Sequence, residues 1–160
     1  MTKICVNYSS YTDVEAEHDF GDEFSGEDTH TTHDIESVYV SNEKDYYDLN
    51  VPFDVVEGKQ YYLLYGLYST GDSFNHDSGR LQFVDLYQTI EMADANKKIL
   101  EDHNKITGTK DDYTAQLLMD DGTIYPFNVP WKGYFESLES LVIETVNVAP
   151  GKSKILGGYY

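Results

Sequence analysis

The stretch YYLLYGLYSTGDSFNHDSGRLQFVDLY, Tyr61 to Tyr87, constrains the fold more than any other part of the chain. It opens and closes on apolar, β-rich runs, 61–68 and 81–87, around the connector STGDSFNHDSG, which is made of residues that turn a chain. Two such runs around a Gly-containing connector predict a long β-hairpin. Leu63, Tyr65 and Leu67 alternate along one run and Phe83 lies in the other, so these four are expected in the core. The connector exceeds a two-residue turn, which leaves room for function at its tip. Asp72, Ser73, Asn75, His76 and Asp77 are therefore a secondary candidate site, expected at the surface.

Before the hairpin, Lys3 to Tyr11 reads as a strand with Ile4, Val6 and Tyr8 on one face, and Ile35 to Val40 as a shorter one. Between them TDVEAEHDFGDEFSGEDTHTTHD is acidic and aperiodic, and it predicts a long acidic loop over about 12–34. The segment NEKDYYDLNVPFDVVEGKQ reads as a turn-rich connector, in which Pro52 argues against a central strand. An internal echo links the two halves. Tyr8 and Tyr11 precede Gly21-Asp22-Glu23-Phe24 as Tyr65 and Tyr68 precede Gly71-Asp72-Ser73-Phe74, at different intervening lengths; chance explains this as well as duplication does, and duplication would place both loops on equivalent hairpins.

After Tyr87 the periodicity becomes helical. Thr89 can cap, Glu91 sits in the first turn, and Met92, Ala95, Ile99 and Ile106 recur at helical spacing, with Ala93 and Leu100 beside them. Gly108 is the expected stop, so an amphipathic helix is placed at about 90–106, its apolar stripe on the sheet. Tyr113 to Met119 and Ile124 to Val129 flank Asp120-Asp121-Gly122-Thr123, a strong hairpin signal. Trp131, Tyr134 and Phe135 follow Pro130 and are expected to plug the sheet's edge. Glu136 to Ser140 is read as a helical turn and Leu141 to Val148 as the last strand. The expected fold is α+β: a mainly antiparallel β-sheet with one packed helix. Residues 1–150 form one domain, and 151–160 are read as a flexible tail.

Charge narrows the function classes. The chain carries 29 acidic against 11 basic residues, for a net charge of −18. Residues 1–57 hold 15 acids and two lysines, so the field is concentrated on the N-terminal third. Direct nucleic-acid binding needs Lys and Arg to neutralise phosphates, and the chain has a single Arg. No apolar run is long enough to span a bilayer, and MTKICVNYSS has no apolar signal core. Cys5 is the lone cysteine, which excludes an internal disulfide and fits a reducing compartment; its place in Ile4-Cys5-Val6 reads as a buried structural thiol.

The remaining residues offer three chemistries. Gly71-Asp72-Ser73-Phe74 resembles the Gly-Asp-Ser block of a lipase and esterase family, whose serine is a nucleophile. The family's later Asp-x-x-His, which would supply the base, has no counterpart here. The block therefore reads as a turn. His18, Asp19, Asp22, Glu27, Asp28, His30, His33 and Asp34 crowd together, but without the spacing of a structural zinc site or a calcium loop. No metal or cofactor is expected. The third chemistry is the acidic field itself. Asp19, Asp22, Glu23, Glu27, Asp28 and Asp34, interleaved with Phe20 and Phe24, can imitate a phosphate backbone and occupy a basic protein groove. These eight are the candidate partner-binding residues.

Two segments, YSTGDSF (Tyr68 to Phe74) and PWKGYFESLESLVIE (Pro130 to Glu144), are similar to parts of small acidic proteins encoded by bacteriophages. The resemblance covers about the C-terminal 100 residues, and it implies the host cytoplasm and an inhibitor of a host or defence protein. The expected function is a non-enzymatic binding protein that presents an acidic surface to a basic, nucleic-acid-binding partner. Two alternatives stand beside it: a metal-dependent or nucleotide-processing enzyme built on the His and carboxylate loop, and an assembly protein whose tyrosine-rich strands self-associate into a homo-oligomer.

Overall fold

A computed structural model describes residues 2–15, 28–41, 48–71, 74, 76–106, 113–133 and 136–150. In chain order the elements are β1 (Thr2–Glu15), β2 (Asp28–Val40), β3 (Asp48–Val51), β4 (Gln60–Gly71), β5 (His76–Tyr87), α1 (Ile90–Ile106), β6 (Thr114–Leu118), β7 (Ile124–Asn128) and β8 (Glu136–Ala149). Mostly strand with one helix, the chain is α+β as expected. The sheet is not simply antiparallel, however. Six strands run in the order β3-β1-β2-β8-β4-β5, and β8 lies parallel to β2 at Val38↔Val148 and Tyr39↔Ala149. The long excursion through α1, β6 and β7 allows β8 to return in that direction, which a tight hairpin cannot do.

Two antiparallel halves result, β3-β1-β2 and β8-β4-β5, joined at this short parallel seam. They curl toward each other into a nearly closed, mixed, barrel-like sheet. Away from the seam β2 crosses to β5, where His33 Nε2 donates to the Gly79 carbonyl at 2.6 Å. The interior is filled from every strand of the large sheet: Ile4, Val6, Val38, Val51, Leu63, Leu86, Val146 and Val148 are all buried there. Tyr65 is buried in the same cluster, with Leu67 and Phe83 packed against it, as the alternation predicted. Cys5 is buried too.

The outer face of β4, β5 and β8 supports a second core under α1 and the separate β6–β7 ribbon. Leu63 points inward and Leu64 outward, so one strand serves both cores. Thr89 Oγ1 accepts the Met92 N–H at 3.2 Å and caps the helix. The buried helix face is Ala93, Asn96 and Leu100, and the expected Ala95 is exposed. A polar residue therefore sits in the middle of the apolar stripe. Asn96 donates to the Leu118 carbonyl at 2.8 Å and accepts from the Leu118 N–H at 2.7 Å, which clamps α1 to β6. Asp121 accepts from both the N–H and the hydroxyl of Thr123, and Gly122 has φ +92°, completing the predicted Asp-Gly turn.

Trp131, in a 3-10 turn at Pro130–Lys132, is 1% exposed and lies in the second core rather than at a sheet edge. Gly66 makes room for it: a Cβ there would meet Trp131 Cζ3 at 2.9 Å. Tyr134 and Phe135 lie outside the described residues.

Three further expectations change. The acidic segment about 12–34 is strand at both ends, with Thr12–Glu15 paired to Asp28–Thr31; the strand ladder overrides the polar composition. Residues 136–140, read as a helical turn, instead extend β8 against Tyr68–Thr70, because one isolated helical turn cannot compete with a continuing ladder. The connector before the central hairpin contains β3, a short edge strand on β1 that stops just before Pro52. No helix among the described residues is long and apolar enough to cross a membrane.

Candidate functional site

β1 and β2 form a ribbon longer than the sheet half to which it belongs. β3 pairs with β1 only from Thr2 to Cys5, and β8 pairs with β2 only at Val38 and Tyr39. From Ser10↔His33 to Glu15↔Asp28 the two strands pair with each other alone among the described residues. These rungs are rich in threonine, whose β-branching suits a two-stranded ladder, and they carry the chain into its most acidic stretch.

Of the predicted partner-binding residues, Asp34 is exposed on β2 opposite Ser9, and Asp28 closes the last rung with Glu15. Asp19, Phe20, Asp22, Glu23, Phe24 and Glu27 lie outside the described residues. In the secondary loop the strands run further than expected. His76 and Asp77 are exposed at the start of β5, paired with Gly71 and Thr70, and Asp77 lies 3.9 Å from Arg80. Asp72, Ser73 and Asn75 lie outside the described residues.

Where the ribbon meets the sheet, aromatic rings close the interior. Tyr8 packs 5.5 Å from Phe83 and 5.8 Å from His33, and Phe83 packs 6.0 Å from Tyr65. The Tyr65 hydroxyl donates to Glu144 Oε1 at 3.0 Å. Burial, that hydrogen bond, and the charges of Glu144 and Asp34 together push the hydroxyl well above the usual tyrosine range. Asp34 on β2 and Glu144 on β8 thus bear on one atom from different strands. His33, considered a metal ligand from sequence, is engaged in this cluster through its bond to Gly79 and its ring contact with Tyr8. Among the described residues no group of three or more His, Cys, Asp or Glu could hold a metal ion.

A second polar cluster lies in the outer core, and the sequence reading missed it. Asp85 is 2% exposed. A register shift sets Tyr65 opposite Phe83 and Leu64 opposite Asp85, leaving Val84 without a partner. This bulge breaks the alternation and aims Asp85 at β7. Its Oδ1 accepts from the Leu86 N–H at 2.8 Å and its Oδ2 from the Tyr125 hydroxyl at 3.2 Å. Burial pushes its carboxyl up to about 7 despite those two bonds, with Asp120 adding to the rise. The Tyr87 hydroxyl is buried nearby beside that of Tyr125, and burial next to Asp85 drives it far above its ordinary value. Asp120 is itself raised by burial, against the Gln88 N–H that it accepts. The cluster joins the main sheet to the β6–β7 ribbon.

No protein-family model, curated protein or solved structure matches the chain.

Proposed function

We infer that the chain is a non-enzymatic binding protein whose β1–β2 ribbon carries an acidic surface to a basic partner. The observation that supports this most is the coincidence of shape and charge: the rungs that, among the described residues, pair only with each other lead into the stretch that makes residues 1–57 the acidic third of the molecule. A narrow ribbon with carboxylates spaced along it can enter a groove built for a nucleic-acid backbone. Its field would raise the association rate with such a partner and repel acidic competitors. The resemblance to phage-encoded proteins fits an inhibitor of a host or defence protein acting in the host cytoplasm.

The test neutralises Asp19, Asp22, Glu23, Glu27, Asp28 and Asp34 to Asn or Gln together. Affinity for a nucleic-acid-binding partner, read in competition with a DNA duplex, should fall by about tenfold or more, and the parent's affinity should fall with added salt. Thermal stability should hardly move if the six charges act at the surface, where each contributes roughly 0–1 kcal/mol. An equally tight six-fold variant would refute the ribbon as the contact surface.

A further inference from the structure

The seam between the two sheet halves leaves one long strand edge open. β8 pairs with β4 along its length, from Gln60↔Asn147 to Thr70↔Glu136. On its other side it meets β2 only at Val148 and Ala149. From Glu136 to Asn147 that side has no strand beside it among the described residues.

The direction of the backbone groups follows from the last rung. The Val148 N–H donates to the Lys59 carbonyl and its carbonyl accepts from the Gly58 N–H, so Val148 faces β4. Alternation then turns Val146, Glu144 and Val142 toward β4, and presents the N–H and C=O of Leu141, Ile143 and Thr145 at the open edge. Such a row is a template for another extended chain.

Side chains decide which chain it accepts. β8 carries Glu136, Glu139 and Glu144 and no basic residue. On β2, Asp34 bears on the same Tyr65 hydroxyl that Glu144 accepts from, and Glu36 is exposed. A second copy pairing here would set glutamates against glutamates, which is unfavourable at cross-strand distance. A Lys- or Arg-rich strand would satisfy both the backbone row and the carboxylates.

We propose that the open edge of β8 binds an extended basic segment of a partner protein, which adds to the sheet as a further strand between β8 and β2. The proposal rests on the reading above only in taking the partner to be basic; its backbone row lies on β8, and the two sites share Asp34.

The probe is a fluorescein-labelled KVKVKVKVK peptide, with EVEVEVEVE as its control, titrated into the full chain and followed by anisotropy and amide hydrogen exchange. The basic peptide should bind, about tenfold or more weakly at high salt than at low, and should slow exchange at Leu141, Ile143 and Thr145. Thr145→Pro removes one edge-facing N–H from an exposed position and should weaken binding by about tenfold. Glu139→Gln, which removes one charge and keeps an acceptor for the Gly79 N–H, should also weaken it and covers the case of a Thr145→Pro chain that fails to fold. Absence of binding, equal binding of the acidic peptide, or binding without protection of those three amides would overturn the proposal. A ribbon variant neutralised at Asp19, Asp22, Glu23, Glu27 and Asp28 alone keeps both the β8 edge and Asp34, so protection there, with or without ribbon function, separates the two readings.

Discussion

Asp85 is the residue at which chain pattern and structure part most sharply. In LQFVDLY it occupies an ordinary alternating strand position, and nothing in that string announces the unpaired Val84 that turns it into the outer core. Its neighbours are Tyr125 on β7, Tyr87 on its own strand and Asp120, with no cation among them. A folded-state value near 7 against an ordinary 3.8 means that the folded protein holds this proton more tightly than the unfolded chain does. The stabilising contribution is therefore complete below about pH 4 and is lost as pH rises to about 7, where a buried carboxylate forms. The full shift corresponds to about 4 kcal/mol. Asp85→Asn should remove this slope. Urea midpoints should fall less for the variant than for the parent between about pH 5 and pH 8, and the variant should be the more stable at the upper end. Comparing the two chains cancels the repulsion among the remaining acids, which grows over the same range. Parallel declines would show that Asp85 does not titrate as its burial requires.

Elements with a strong local signal were legible. The central hairpin, the Asp-Gly hairpin and α1, from its Thr89 cap to its bounds at Ile90–Ile106, follow from alternation, turn chemistry and helical period. What failed depended on partners distant in sequence. Hydrophobicity alone set the helix stripe on Ala95, whereas the buried position is Asn96, whose amide completes the hydrogen bonding of Leu118 on a strand 22 residues away. Asn96→Ala should cost about 2–4 kcal/mol, because it strands two backbone groups of β6 as well as emptying the site. Asn96→Asp should cost as much or more near neutral pH, since the Leu118 carbonyl would face a buried carboxylate. Gly66→Ala belongs at this scale too. The added methyl must displace the Trp131 ring from β4, at about 1–3 kcal/mol. Denaturation midpoints of the three variants check these values. A Gly66→Ala chain as stable as the parent would mean that the 3-10 turn shifts freely. For the candidate site, the acidic composition was readable from the string, but the ribbon that carries it was not: its rungs come from pairing, and the polar run has no period of its own.

At the scale of the molecule the strand topology repeats. Each half is a hairpin with a third strand laid against its first, β3 on β1 and β8 on β4, and the halves meet through β2 and β8. They are unequally supported. The β4–β5 hairpin has a core on both faces, one inside the curled sheet and one under α1 and β6–β7, whereas the residues that β1 and β2 add to these two clusters all lie in the interior one. Sharing β4 should couple the two cores into one unfolding unit. Trp131, the chain's single tryptophan, reports the outer core by fluorescence, and far-ultraviolet circular dichroism reports the strands as a whole. Leu63→Ala empties space in the interior without touching Trp131's cluster, and should cost about 2–5 kcal/mol. Leu64→Ala, its neighbour facing the other way, should cost a similar amount. If β4 transmits either loss, both variants will shift the fluorescence and dichroism midpoints together by the same denaturant increment. A Leu63→Ala chain whose dichroism midpoint falls while its tryptophan midpoint stays in place would show two separately folding layers, and the barrel-like half would then unfold from under an intact outer core.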